Sequence, residues 1–161
     1  MKASDLIQQE HYPNFPEFRK YAIDLSLTDA EVILTLQRLR NVSRVPMTPS
    51  PLQGAWSRTT GSKTSRHYAI GRLADAGDFF PRRGRALYVW TVMQQLPEIN
   101  GIGLYSDKKG PDGKPQIMIH MDLRTPTRIF WVTDKNGNYW SLHKNQVPFW
   151  KTFKTLIDMD N

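Results

Sequence analysis

Two histidines on separate segments carry the chemistry open to this chain. Ser65-Arg66-His67 runs into Gly71-Arg72-Leu73-Ala74-Asp75-Ala76-Gly77-Asp78-Phe79-Phe80-Pro81, and well downstream comes Ile117-Met118-Ile119-His120-Met121-Asp122-Leu123-Arg124. Imidazole nitrogens and a carboxylate oxygen are donors that a hydrolytic zinc centre takes from protein, with three protein ligands and a fourth position open. If Ile117 to Asp122 is a strand, alternation puts Met118, His120 and Asp122 on one face and Ile117, Ile119 and Met121 on the other. On a second strand Ala76, Asp78 and Phe80 share a face. A carboxylate inside Ala-Gly-Asp-Phe-Phe is costly to bury unless it is paired or binds a cation. His67 stands in a Ser/Arg-flanked loop that can return so that its ring and Asp78 meet one ion. Asp122, two positions after His120, can orient an imidazole, hold a substrate amine or act as a base. Spacing alone also admits a plainer account: His67 on a surface loop, His120 a satisfied core histidine, Asp78 a turn or salt-bridge residue.

The elements that must position these groups read as follows. Thr28-Asp29-Ala30-Glu31 is a capping box with Thr28 at the N-cap, opening a helix to about Asn41 whose inner face is Val32, Ile33, Leu36 and Leu39. The first twenty residues, with Pro13 and Pro16, read as irregular or weakly helical. Val45 to Ser50 is an edge strand or extended entry, and residues 53 to 65 are a long loop of the kind that tends to be functional. Ala76 to Phe80 and Ile102 to Tyr105 are short strands, and Ile117 to Leu123 is the strand of the second histidine. Arg85 to Leu96 is a helix with Ala86, Val89, Trp90 and Met93 inward. Arg128 to Leu142 is a hairpin around Asn136-Gly137. The class is α+β, a small mostly antiparallel sheet flanked by helices. Residues 1–161 form one domain, with a core over about 28–145 and a closing helix over about 148–158.

Composition narrows the function. The 161 residues are 39% hydrophobic and 23% charged, which suits a folded domain with a real core. No apolar run is long enough to span a membrane, and the opening residues lack the apolar stretch of a cleavable secretory signal. There is no cysteine, so thiolate metal sites and cysteine nucleophiles are excluded. The net charge of +7 favours polyanionic surroundings without naming one.

The order of the pieces is informative. Leu36-Gln37-Arg38-Leu39-Arg40 is followed by Val45-Pro46-Met47-Thr48-Pro49-Ser50, then Arg58, then Ser65-Arg66-His67 and Ala76-Gly77-Asp78-Phe79. Gly101-Ile102-Gly103-Leu104-Tyr105 then precedes Ile119-His120-Met121-Asp122-Leu123-Arg124. Over roughly residues 30 to 125 this resembles the zinc D-Ala-D-Ala carboxypeptidase family (VanX/VanY-like, Hedgehog/DD-peptidase fold), including phage endolysins that cut the stem peptide of peptidoglycan. The resemblance implies Zn2+ held by His67, Asp78 and His120, with Asp75 as the alternative carboxylate. It also implies that Arg58 steadies the substrate carbonyl or carboxylate. A peptidoglycan peptide is the expected partner and DNA is not. The protein would be made in the cytoplasm and act at the cell wall or periplasm, or in a virion, as a lysis or tail-associated hydrolase.

Two departures bear on that expectation. The spacer from His67 to Asp78 is longer than the family's usual one. Ile117 stands where many members have the catalytic carboxylate, so a base would come from elsewhere: Asp122 is nearest, with Asp107 and Glu98 as alternatives. A non-catalytic phage structural or binding protein on the same fold is the second reading. A basic nucleic-acid-binding module using the hairpin aromatics Trp131, Tyr139 and Trp140 is the third. Tyr105 reads as a core residue or a substrate contact. His11 and His143 read as surface residues without partners, and Arg82, Arg83 and Arg85 as a solvated helix start or a contact for anionic wall polymer.

Overall fold

The computed structural model describes residues 1–7, 18, 20–21, 23–124 and 127–161. Pro13, Pro16 and His11 lie outside the described residues, and with them most of the expected irregular N-terminal stretch. The elements are α1 (Ala3–Ile7), α2 (Ala30–Ser43), β1 (Met47–Pro49), β2 (Ala76–Pro81), α3 (Ala86–Met93), β3 (Gly101–Tyr105), β4 (Met118–Asp122), β5 (Ile129–Thr133), β6 (Tyr139–Ser141) and α4 (Gln146–Asp160). The class is α+β, a six-stranded sheet in the order β1-β2-β4-β3-β5-β6 flanked by helices. The sheet is mixed, where the sequence predicts a mostly antiparallel one: four pairings are antiparallel, and β3 and β5 run parallel. The cause lies at the foot of β3. The Asn100 amide donates to the Asp122 carbonyl (3.0 Å) and the Ile129 amide donates to the Asn100 carbonyl (2.7 Å). β4 therefore ends and β5 begins at the foot of β3, on its two sides, so β5 runs in the same direction as β3.

Helix α2 is capped by Asp29, whose carboxylate accepts from the Glu31 amide at 3.1 Å. The expected cap, Thr28, is buried with its main chain bridged to Ala74. Tertiary pairing thus takes the threonine and leaves the next capable side chain to cap the helix. Helix α3 is shorter than expected, because the Gln95 and Leu96 amides bond three residues back to Val92 and Met93 in a tight terminal turn before Pro97. Helix α4 begins two residues before Pro148, which falls in the first turn where a missing N–H costs nothing.

Arg85 provides no side-chain cap for α3. Asp160, at the other end of the chain, does: its Oδ1 accepts from the Ala86 amide (3.0 Å) and its Oδ2 from the Leu87 amide (2.8 Å). A carboxylate there satisfies two orphan donors and opposes the positive end of the helix dipole. Asp160→Ala is expected to cost about 1–2 kcal/mol, read as a lower urea midpoint at unchanged slope.

Strand alternation then divides the sheet. Phe79, Ile102, Leu104, Ile119, Met121 and Val132 join residues of α2, α3 and α4 in one continuous core. The opposite face carries Asp78, His120, Asp122, Gly101, Gly103 and Trp131. A smaller apolar cluster, Phe80, Tyr105 and Met118, closes one end of that second face.

Candidate metal centre

The register sets the site. Asp78 of β2 pairs with His120 of β4, His120 with Gly103 of β3, and Gly103 with Trp131 of β5. These four residues form one row across four strands on the same face. His67 reaches the row from the loop above. The His120 Nδ1 lies 2.8 Å from Asp78 Oδ1 and 3.0 Å from His67 Nε2, and the third edge, His67 Nε2 to Asp78 Oδ1, is 3.4 Å. All three residues are buried. Donors held about 2.0–2.2 Å from one tetrahedral ion are separated by about 3.3–3.6 Å, so a shift of roughly half an ångström fits this triangle around a metal. His67, Asp78 and His120 are a group that can hold a metal ion.

The long spacer from His67 to Asp78 is absorbed in a loop that turns at Gly71 (φ +76°). Arg72 ties it down by donating to the carbonyls of Tyr68 (3.2 Å) and Ser65 (2.9 Å). The Ala74 amide bonds to Leu27, and the Ala74 carbonyl accepts from Asp29. Asp75, the alternative ligand, does not join the group. Its carboxylate takes a guanidinium hydrogen bond from Arg66, and an odd spacing from Asp78 along extended chain turns it away from the row.

Behind the ligands stands a second layer. His120 Nε2 donates to Asp122 Oδ2 at 3.0 Å, which leaves Nδ1, beside Asp78 and His67, as the nitrogen that could ligate an ion. Asp122 is 0% exposed. Its Oδ1 accepts from Arg124 Nε (2.6 Å) and the Arg124 amide (3.1 Å), and its Oδ2 also accepts from Arg124 Nη2. Asp122 thus lies on the far side of the imidazole from the ligand donors, a position suited to orienting His120 and not to deprotonating a substrate. Of the other expected bases, Asp107 is engaged by Lys108 and Thr133, and Glu98 by Arg38. His67 Nδ1 is buried without a partner among the described residues.

Burial alone would raise the Asp78 carboxyl. The charge of His67 and hydrogen bonds from His120 and His67 outweigh it and hold Asp78 well below the usual carboxylate range. Burial likewise opposes a charge on His120, but hydrogen bonds to Asp122 and Asp78 and their charges carry it up to about 9. These partners favour the charged ring, so a metal at Nδ1 competes with a proton there.

Two glycines make the room. A Cβ at Gly103 would collide with the Trp131 indole, and one at Gly101 with the Asp122 carboxylate. Trp131 lies across Gly103 against the His120 ring, centroids 4.9 Å apart, with the Arg124 guanidinium 5.4 Å over its own face. Gly103→Ala is expected to lower stability by about 1–3 kcal/mol through overpacking. Trp131 fluorescence would shift as the indole leaves His120, and metal affinity would fall as that ring loses its support.

The donors open into a cavity of about 410 Å3 that also exposes Arg58, Tyr105, Lys108 and Tyr139. Arg58 comes from the long loop, which Trp56 anchors: its indole donates to the Ser50 carbonyl (3.2 Å) and lies where a Cβ at Gly77 would be. Arg58 Nη2 donates to Ser65 Oγ at 2.7 Å, and its Nε is buried without a partner among the described residues. Asp78 is the sole carboxylate among the described residues lining this cavity. Tyr105, which the sequence offers as a core residue or a substrate contact, lines this cavity, as do Arg124 and Trp131, to which the motifs assign no part in a metal centre. The alternation His120-x-Asp122-x-Arg124 is a signal that marks Arg124. His143 is exposed, yet its Nε2 lies 3.3 Å from the Arg128 carbonyl, so it has a partner. Arg83 is likewise engaged, by Asp112 and the Pro115 carbonyl.

No family model, no curated protein and no solved structure matches this chain. No helix among the described residues is long and apolar enough to cross a membrane.

Proposed function

We propose that this chain is a zinc-dependent peptidase acting on stem or cross-link peptides of peptidoglycan, a wall hydrolase of the phage lysis or tail-associated kind, as the resemblance to the zinc D-Ala-D-Ala carboxypeptidases implies. The observation that carries the reading is the buried triangle of His67 Nε2, His120 Nδ1 and Asp78 Oδ1 opening into a cavity beside Arg58. Two imidazoles and one carboxylate suit zinc in a site with an open position. Bound there, zinc supplies Lewis acidity and a water that ionises near neutral pH. The chain's own residues do the rest. Asp122 keeps His120 in the ligating tautomer, and the Arg58 fork faces the cavity, where its donors suit a carboxylate or a carbonyl gaining negative charge.

A second reading, a binding or structural module that keeps the metal without turnover, is favoured by one observation: the cavity lining holds no carboxylate besides the ligand Asp78 among the described residues. Metal content of the purified protein and release of peptide fragments from purified sacculi, with and without chelator, separate the two. Chelator-sensitive release supports the peptidase. Stoichiometric zinc without release supports the module, and a protein that takes up no zinc overturns both.

A further inference from the structure

We propose that Tyr105 is a catalytic residue of this centre, its phenolic O–H donating a hydrogen bond to the substrate oxygen that gains negative charge as the scissile carbonyl is attacked. The inference rests on the peptidase reading above and adds a residue to it.

Tyr105 ends β3 on the face that bears the metal row. It pairs with Met118 on β4 and Thr133 on β5, two residues along from the Gly103 that faces both His120 and Trp131. One pleat repeat, about 7 Å, therefore separates its backbone from the row of ligands, and a tyrosine spans that distance within the same face. The ring is only 8% exposed and packs with Phe80 and Met118. Such packing fixes an aromatic ring in one rotamer and spares the reaction the cost of ordering it. The phenol oxygen accepts from Trp131 Nε1 at 3.4 Å. That same indole rests on His120, so one side chain braces a metal ligand and the phenol together. Tyr105 lines the cavity into which the His67, Asp78 and His120 donors open, alongside Arg58.

The chemistry assigns the phenol a donor's part. A tyrosine phenol is protonated at neutral pH, and burial keeps it so, which lets it give a hydrogen bond and not take a proton. Accepting from Trp131 leaves the hydroxyl hydrogen free to be given to another acceptor. Tyr139 packs edge-on against the Tyr105 ring, centroids 5.9 Å apart, and is itself 61% exposed at the mouth of the cavity. The step itself balances with water alone. A C–O bond forms, the carbonyl π pair moves onto oxygen, and the C–N bond then breaks. The amine leaves with a proton that came from the attacking water. Tyr105 and Arg58 hold the oxygen while it is charged and transfer no proton.

Tyr105→Phe keeps the ring and removes only the hydroxyl. Its zinc affinity and thermal midpoint are expected to match the parent. Turnover of sacculus peptides is expected to fall about 10²–10³-fold with KM little changed. A phosphinate analogue of a D-alanyl peptide, which presents a tetrahedral anion, is expected to bind at least about tenfold more weakly, read by calorimetry without turnover. Equal turnover and equal phosphinate binding overturn the proposal and leave the peptidase reading standing. A parallel loss of zinc affinity overturns it in favour of a ligand-orienting role. A zinc-loaded parent that neither cleaves peptide nor binds the phosphinate overturns the peptidase reading and this proposal with it.

Discussion

Alanine at His120 is expected to abolish metal uptake at micromolar zinc while the helices and sheet persist. His120 supplies one corner of the triangle and touches both other donors. Zinc bound to a protein site is worth about 10–16 kcal/mol, which over three or four ligands is roughly 3–4 kcal/mol each, or about 10²–10³ in affinity. Losing His120 also leaves the buried Asp122 with Arg124 alone and opens a void between Trp131 and Asp78. His67→Ala is expected to match the loss of affinity with a smaller loss of stability, since His67 enters from a loop and braces no strand. Calorimetric titration with zinc, run beside circular dichroism of each variant, checks both parts. Wild-type zinc affinity in His120→Ala would place the ion elsewhere and remove the basis for a peptidase.

The ligand triangle shows how far pattern carries a sequence. Alternation along two strands is enough to put Asp78 and His120 on like faces, because the period of a strand is two whatever lies beside it. The choice between Asp75 and Asp78 stays open in the sequence and is made by the register of β2 on β4, which sets Asp78 opposite His120. What alternation does not contain is which strands are neighbours. The parallel pairing of β3 with β5 brings Trp131 over Gly103, and that pairing starts where Asn100 bonds both Asp122 and Ile129, a junction that no local signal marks. Gly101 and Gly103 look like ordinary small residues until Asp122 and Trp131 occupy the space their missing side chains leave. The cap of α2 fails for a related reason. Thr28 and Asp29 are both competent, and only the bridge from Thr28 to Ala74 decides between them. The role of Asp122 turns on Arg124, two residues on and on the same face, whose fork occupies the carboxylate that spacing alone offers as a base.

Asp122→Asn provides the sharpest test of that second layer. The substitution keeps the shape of the side chain but replaces one accepting oxygen by an NH2 donor. Arg124 presents only donors, and His120 Nε2 donates in the ligating tautomer. Oδ2 serves both His120 and Arg124 Nη2 while Oδ1 serves Arg124 Nε and the Arg124 amide, so either orientation of an asparagine sets its NH2 against a donor. If its NH2 faces Arg124, two donors oppose each other in a buried site. If it faces His120, the ring moves its proton to Nδ1, the nitrogen the metal needs. Zinc affinity is therefore expected to fall about 10–100-fold with all three ligands intact. The pH dependence changes as well. Burial works against the Asp122 charge, but hydrogen bonds from Arg124 and His120 and their charges hold the folded carboxyl well below its unfolded value near 3.8. A depressed carboxyl contributes stability that is present above the unfolded value and lost as pH falls through the folded one. The parent, studied in chelator, should thus lose stability on acidification from about pH 5 downward, and the variant should start lower and fall less over the same window. Urea unfolding of both proteins between pH 3 and 7, together with zinc titration at neutral pH, reads both effects. Parental zinc affinity in Asp122→Asn would mean that the His120 tautomer is set by something other than this carboxylate.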